Sequence, residues 1–246
     1  MGRAVRDPSP RGVLVSVLRS PVGLSKAVVV LLAAVAAVDC AMIYGHYSLY
    51  RLMGERERKG APASGSDVAD DPLTSAVAVL GACLFLATAV VFIVWFHRVR
   101  VNAGVFAPEH FGSGPGWAIG AWFIPVANAV IPCRIAHQSW HASRRDPDRR
   151  AGKGERPTVV KVWWLLWLAA SVTDYLAWSA YDDAVTRKFL DGVDPASVRA
   201  ACVALMVAAV LDMVAALFAA LFVRRLTAMQ DAKALRGPAP AVPAGA

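Results

Sequence analysis

Charge is what this sequence has least of. Asp, Glu, Lys and Arg make up 18% of its residues, against about 25% in a soluble globular domain. Closely spaced cysteines are missing as well. Cys40, Cys83, Cys133 and Cys202 fall in four different apolar segments and form no CxxC pair. That removes the usual zinc and dithiol motifs and leaves four small lipid-buried hydrophobes. There is no nucleophile elbow, no HExxH, no Walker loop and no dinucleotide fingerprint, and nothing places Ser, His and Asp as a triad. Enzyme activity therefore has no positive support, and no cofactor is expected. The net charge is +8, but no nucleic-acid-binding motif accompanies it, so no nucleic acid partner is expected.

What the sequence does have is apolar length. Hydrophobic residues make up 57%, the mean hydropathy is +0.47, and the excess sits in blocks. Blocks of this kind are bilayer spans rather than a larger soluble core. The fold class expected is an all-α integral membrane protein. One membrane domain over 27–226 follows a basic cytoplasmic leader over 1–26, and a Pro/Ala-rich disordered tail occupies 227–246. Spans are expected at about 27–46, 73–96, 159–181 and 198–223. Within the leader, residues 12–18 read as a short surface helix. The first span holds the small-x-small pattern Ala34-Val35-Ala36, but its apolar run continues through Ile43, so it reads as an uncleaved anchor. Residues 47–72 read as a mobile polar loop.

The stretch 117–144 decides the topology. If it does not cross and the N-terminus is cytoplasmic, inside loops, leaving out residues 117–140 themselves, hold 17 Lys and Arg and outside loops hold 6. If it crosses, the better orientation gives 14 inside and 9 outside. The first arrangement fits the positive-inside rule better and puts both termini in the cytoplasm. Pro125 and Pro132 each remove a backbone donor and clash with the preceding turn. The stretch therefore reads as a half-helix over 117–124, an irregular link holding Asn128, and an interfacial helix over 133–144. The fold is thus four transmembrane helices plus a proline-broken re-entrant or interfacial segment. The alternative is five transmembrane helices, with this stretch as a kinked span.

Three groups of residues carry a likeness to a known family. They are Trp95-Phe96-His97-Arg98 with Asn102; Gly116-Trp117, then Trp122-Phe123-Ile124-Pro125-Val126-Ala127-Asn128 and Pro132; and Trp163-Trp164 with Trp167. Over about residues 75–225 the chain resembles the bacterial membrane proteins catalogued as domain of unknown function 4328. The resemblance implies a multi-span membrane domain with no assigned activity, and it brings no catalytic residues. Trp122, Pro125, Asn128, Pro132, Trp163 and Trp164 form the structural motif.

The sharpest candidate chemistry is three acids inside expected spans: Asp39, Asp174 and Asp212. A charged Asp at mid-bilayer costs about 2.5–3.5 kcal/mol on insertion scales, so such groups face a bundle interior and find partners. They read either as a proton or cation pathway or polar pocket, or more plainly as interhelical hydrogen-bonding glue. Asp39 and Asp174 are expected toward the outer half and Asp212 near mid-depth. Arg199, Asn128 and Arg134 are the candidate partners. Asn128 itself reads first as structural, satisfying groups freed by the two prolines. Cys133, His137 and His141 share one helix stripe with ligand-type side chains, but no fourth ligand is placed, so no metal is expected. Small residues at Ala200, Ala204, Ala208, Ala215 and Ala219 permit close helix packing. The expected role is a non-enzymatic scaffold or regulator in the plasma membrane. It would act through partners: the lipid bilayer, and other membrane proteins or a second copy. The alternative is a small transporter or channel built on the three acids.

Overall fold

A computed structural model describes residues 18–61, 72–144, 156–187 and 193–236. The expected surface helix at 12–18 and the tail from 237 lie outside these, apart from Leu18 itself. The described residues are helical, with no strand among them. Helix α1 covers Val22–Arg58 and α2 covers Pro72–Phe106. A 3-10 turn follows at Pro108–His110, then the short α3 at Trp117–Gly120 and a second 3-10 turn at Ala121–Phe123. Helix α4 covers Pro125–Ala142. Helix α5 covers Thr158–Asp182 and runs into a π-helical turn, Asp183–Arg187. Helix α6 covers Pro195–Arg236.

Four of these helices, α1, α2, α5 and α6, are long and apolar enough to cross a membrane. Their uncovered faces carry Val30, Phe85, Leu86, Val90, Leu165, Val172 and Leu217. Continuous exposed apolar faces of this kind are stable only against another apolar medium. The stretch 117–144 does not supply a fifth such helix. Its chain turns extended at Ile124 (φ −108°, ψ 115°), because a residue before proline is driven out of the helical region.

Several boundaries differ from those expected. Residues 47–58 are helix rather than loop, because the inner stripe of α1 continues: Leu49, Tyr50 and Met53 pack against Val198 and Cys202 of α6. Residues 62–71 lie outside the described part. Helix α1 also starts earlier than 27, with Ser25 N donating to the Pro21 carbonyl at 2.9 Å. Residues 227–236, assigned to the tail, extend α6, because Thr227 and Gln230 are buried and hydrogen-bonded. The broken segment has one break where two were expected. Pro125 opens α4, where its missing amide costs nothing, while Pro132 lies inside the helix without ending it. Asn128 is therefore helical rather than part of an irregular link. Its amide donates to the Ile124 carbonyl at 2.7 Å.

The described residues fall into two compact units. The first draws on those within 1–27, 91–160 and 222–246, and the second on those within 28–90 and 161–221. The physical reason is length. A helix needs about 20 residues to cross the hydrocarbon, and α1, α2 and α6 have 37, 35 and 42.

The first unit is organised around Gln230. Its amide donates to the Val99 carbonyl at 2.8 Å and to Ser143 Oγ at 3.2 Å, and its Oε1 accepts from Asn102 Nδ2 at 3.3 Å. Asn102 Nδ2 also donates to the Arg19 carbonyl at 2.9 Å, and Asn102 Oδ1 accepts from the Arg19 amide at 3.3 Å. Beneath this network lies an aromatic core of Trp95, Phe96, Trp122, Trp140 and Phe222. The start of α1 and the ends of α2, α4 and α6 therefore meet at one place. The chain leaves α2 and comes back to the same place at Ser143.

Candidate functional site

In the second unit three helices bring the acids together. On α5, Asp174 follows buried Ala170 by four residues and precedes buried Ala177 by three. On α6, Asp212 stands in the same relation to buried Ala208 and Ala215. Residues so spaced share one helix face, so each carboxyl projects from an inward stripe of methyl groups. Small neighbours on that stripe let the helices approach closely enough for the short Asp side chains to meet. Of the five alanines expected to pack, Ala208, Ala215 and Ala219 are buried, whereas Ala200 is exposed.

Asp174 and Asp212 share a side-chain hydrogen bond, and Asp39 lies within electrostatic range of both. The expected separation in depth between Asp174 and Asp212 is thus replaced by direct contact. Two carboxyl groups can hydrogen-bond only when one of them carries a proton, since an ionised carboxylate only accepts. Asp39 Oδ2 is buried and has no hydrogen-bond partner among the described residues. Next to the acids, Cys40 Sγ lies 3.9 Å from Met213 Sδ, which sets α1 beside α6. Helix α2 closes in at Gly81, where an added Cβ would stand 3.1 Å from Val38 Cγ1. A glycine suits this close approach, since a Cβ would press on the Val38 methyl.

The expected basic partners are elsewhere. Arg199 pairs with Glu57, donates to the Tyr50 hydroxyl at 2.9 Å and lies 4.6 Å from the Tyr50 ring centroid. Its partners come from the last turns of α1 rather than from the acids. Arg134 and Asn128 belong to α4 in the first unit, where Arg134 is exposed. Asn128 Oδ1 is buried without a hydrogen-bond partner among the described residues. Its backbone carbonyl faces position 132, where proline supplies no amide.

The motif tryptophans are structural. Trp122 Nε1 donates to the Ala118 carbonyl at 3.1 Å and its ring meets Phe92 and Phe96 edge-on. Trp163 and Trp164 are buried, with rings 5.5 Å apart. The ring centroids of His137 and His141 lie 6.4 Å apart, and no group of three ligand-type side chains is placed to hold a metal among the described residues. Burial, helped by nearby Arg144 and His110, holds the His141 imidazole below its ordinary value.

The pattern of spans, the proline-broken stretch and the tryptophan pairs match one family, described as domain of unknown function (DUF4328), over residues 61–228. The chain belongs to the DUF4328 family. No curated protein and no solved structure matches it. DUF4328 membership agrees with the four long apolar helices and adds no assigned chemistry. Sequence reasoning missed Gln230 and the Arg199–Glu57 pair. Gln230 had one signal: it continues the buried series Phe222 and Leu226 at four-residue steps on α6.

Proposed function

We propose that this DUF4328 protein is a multi-pass protein of the bacterial cytoplasmic membrane in which Asp39, Asp174 and Asp212 bind an exchangeable proton or a small cation for transport. One observation carries the reading: three carboxyl groups from three helices converge, and the arginine expected to neutralise them is engaged by Glu57 and Tyr50. Acids held in a membrane domain without a basic partner are characteristic of proton and cation pathways. In this reading both termini are cytoplasmic, as the distribution of Lys and Arg favours, and α4 lies in the cytoplasmic interface. The test is flux in proteoliposomes under an imposed pH or sodium gradient. Asp212→Asn is expected to abolish it, and wild-type flux in all three single Asn variants would sink the pathway. A cysteine introduced near position 150 and labelled from outside intact cells would sink the topology.

A second reading, a non-enzymatic scaffold that works through partner proteins or a second copy, draws support from the first unit. The amides of Asn102 and Gln230 there are mutually paired, which suits a rigid platform better than a moving gate. Co-purification of a stoichiometric partner from native membranes, together with absent flux, would favour that reading.

A further inference from the structure

A cleft in the second unit is lined by Tyr50, Arg51, Gly54, Glu57 and Arg58 of α1 and by Arg199 of α6. We propose that it binds the phosphate of a membrane phospholipid headgroup, an assignment that rests on the chain being a membrane protein.

The lining holds three guanidinium groups and one carboxylate. Within the lining Glu57 offsets one charge and two remain, while Glu55, outside the lining, acts on Arg51. Arg199 forms its fixed wall. Its Nη1 serves Glu57 and its Nη2 serves Tyr50. Each terminal nitrogen carries two protons, so one donor on each is left over. The Arg199 side chain lies over Gly54 of α1, within 3.6–3.9 Å of where a Cβ would stand, an ordinary packing distance. Arg51 and Arg58 are seven residues apart, two turns on one face of α1, and both are exposed. Arg51 reaches Tyr47. Guanidinium groups around an open recess match the oxygens of a phosphate, with charge-assisted hydrogen bonds in a forked geometry.

The source of the phosphate follows from what surrounds the cleft. Tyr44 and Tyr47 on α1 and Tyr175 and Trp178 on α5 are exposed, and His46 and Trp178 flank Tyr181. Exposed Tyr and Trp in a band mark the boundary between hydrocarbon and headgroups. Residues 51–58 continue α1 past this band by about 12 Å at 1.5 Å per residue, which is headgroup depth.

The test uses the full chain purified in detergent and native mass spectrometry. The added probes are phosphatidylglycerol, diacylglycerol and glycerol phosphate. Phosphatidylglycerol should be retained, with diacylglycerol and glycerol phosphate both weaker. The double variant Arg51→Gln, Arg58→Gln leaves the packed Arg199 intact and should weaken retention about twenty-fivefold, at about fivefold per basic residue. Equal retention of diacylglycerol, or no effect of the double variant, would overturn the site. Equal retention of glycerol phosphate would move it to a soluble anion and overturn the lipid assignment. Loss of the site with the chain still resisting carbonate extraction would leave the membrane reading standing, whereas release by carbonate would overturn that reading itself.

Discussion

The Gln230 cluster of the first unit and the Asp212 cluster of the second treat buried polar groups in opposite ways. Around Gln230 the Asn102, Gln230 and Arg19 groups are matched donor to acceptor, mostly neutral against neutral. Around Asp212, three carboxyl groups are brought together with one proton-dependent bond and an unserved oxygen on Asp39. A neutral amide network that is fully paired recovers its desolvation cost and fixes one arrangement. A carboxyl cluster does not recover it unless a proton or cation enters. The first unit thus reads as architecture and the second as a place where something is bound.

Substitutions can break this contrast. Gln230→Ala should have the largest effect on stability, about 3–5 kcal/mol, because it opens a cavity and removes a buried hydrogen-bond partner from Asn102 and from Ser143. It is read as the loss of thermal transition temperature in detergent. Gly81→Leu forces a side chain into Val38 and should cost about 1–3 kcal/mol, read the same way. Asp212→Asn should shift stability by less than about 1 kcal/mol in either direction while removing flux, since the amide keeps the shape and can still donate to Asp174. A large stability loss there would erase the contrast and make the acids architecture too. The smallest effect belongs to His141. The fold favours its neutral form, so its contribution is present above the unfolded-state value and is lost as pH falls through about 6.5. Lowering the pH from about 7.5 to about 5.5 should therefore reduce the transition temperature, and His141→Gln should flatten that slope.

Much of this was legible in the sequence because it is local or periodic. The four apolar runs, the interior placement of the acids and the break before Pro125 depend on residues within a few turns of each other. Pro132 shows where local reasoning overreached. Once Pro125 has started the helix, a second proline seven residues on frees only the Asn128 carbonyl, and a membrane-associated helix tolerates that. The helix ends were misjudged where long-range contacts hold them. Asp194 could be read as a cap for α6, its carboxylate accepting from the Ala196 and Ser197 amides. Nothing near Arg199 announces Glu57, 142 positions away, and nothing near Asn102 announces Gln230, 128 positions away.

The Gln230 network also has an order in time. Arg19 and Asn102 are synthesised first, and Ser143 follows. Only when the final helix has been threaded does residue 230 arrive to accept from Asn102 and donate to Ser143. A chain stalled before that point would keep the Arg19–Asn102 pair but lack the bonds that tie it to Ser143. Gln230 is thus the clasp that joins three parts of the chain made at different times.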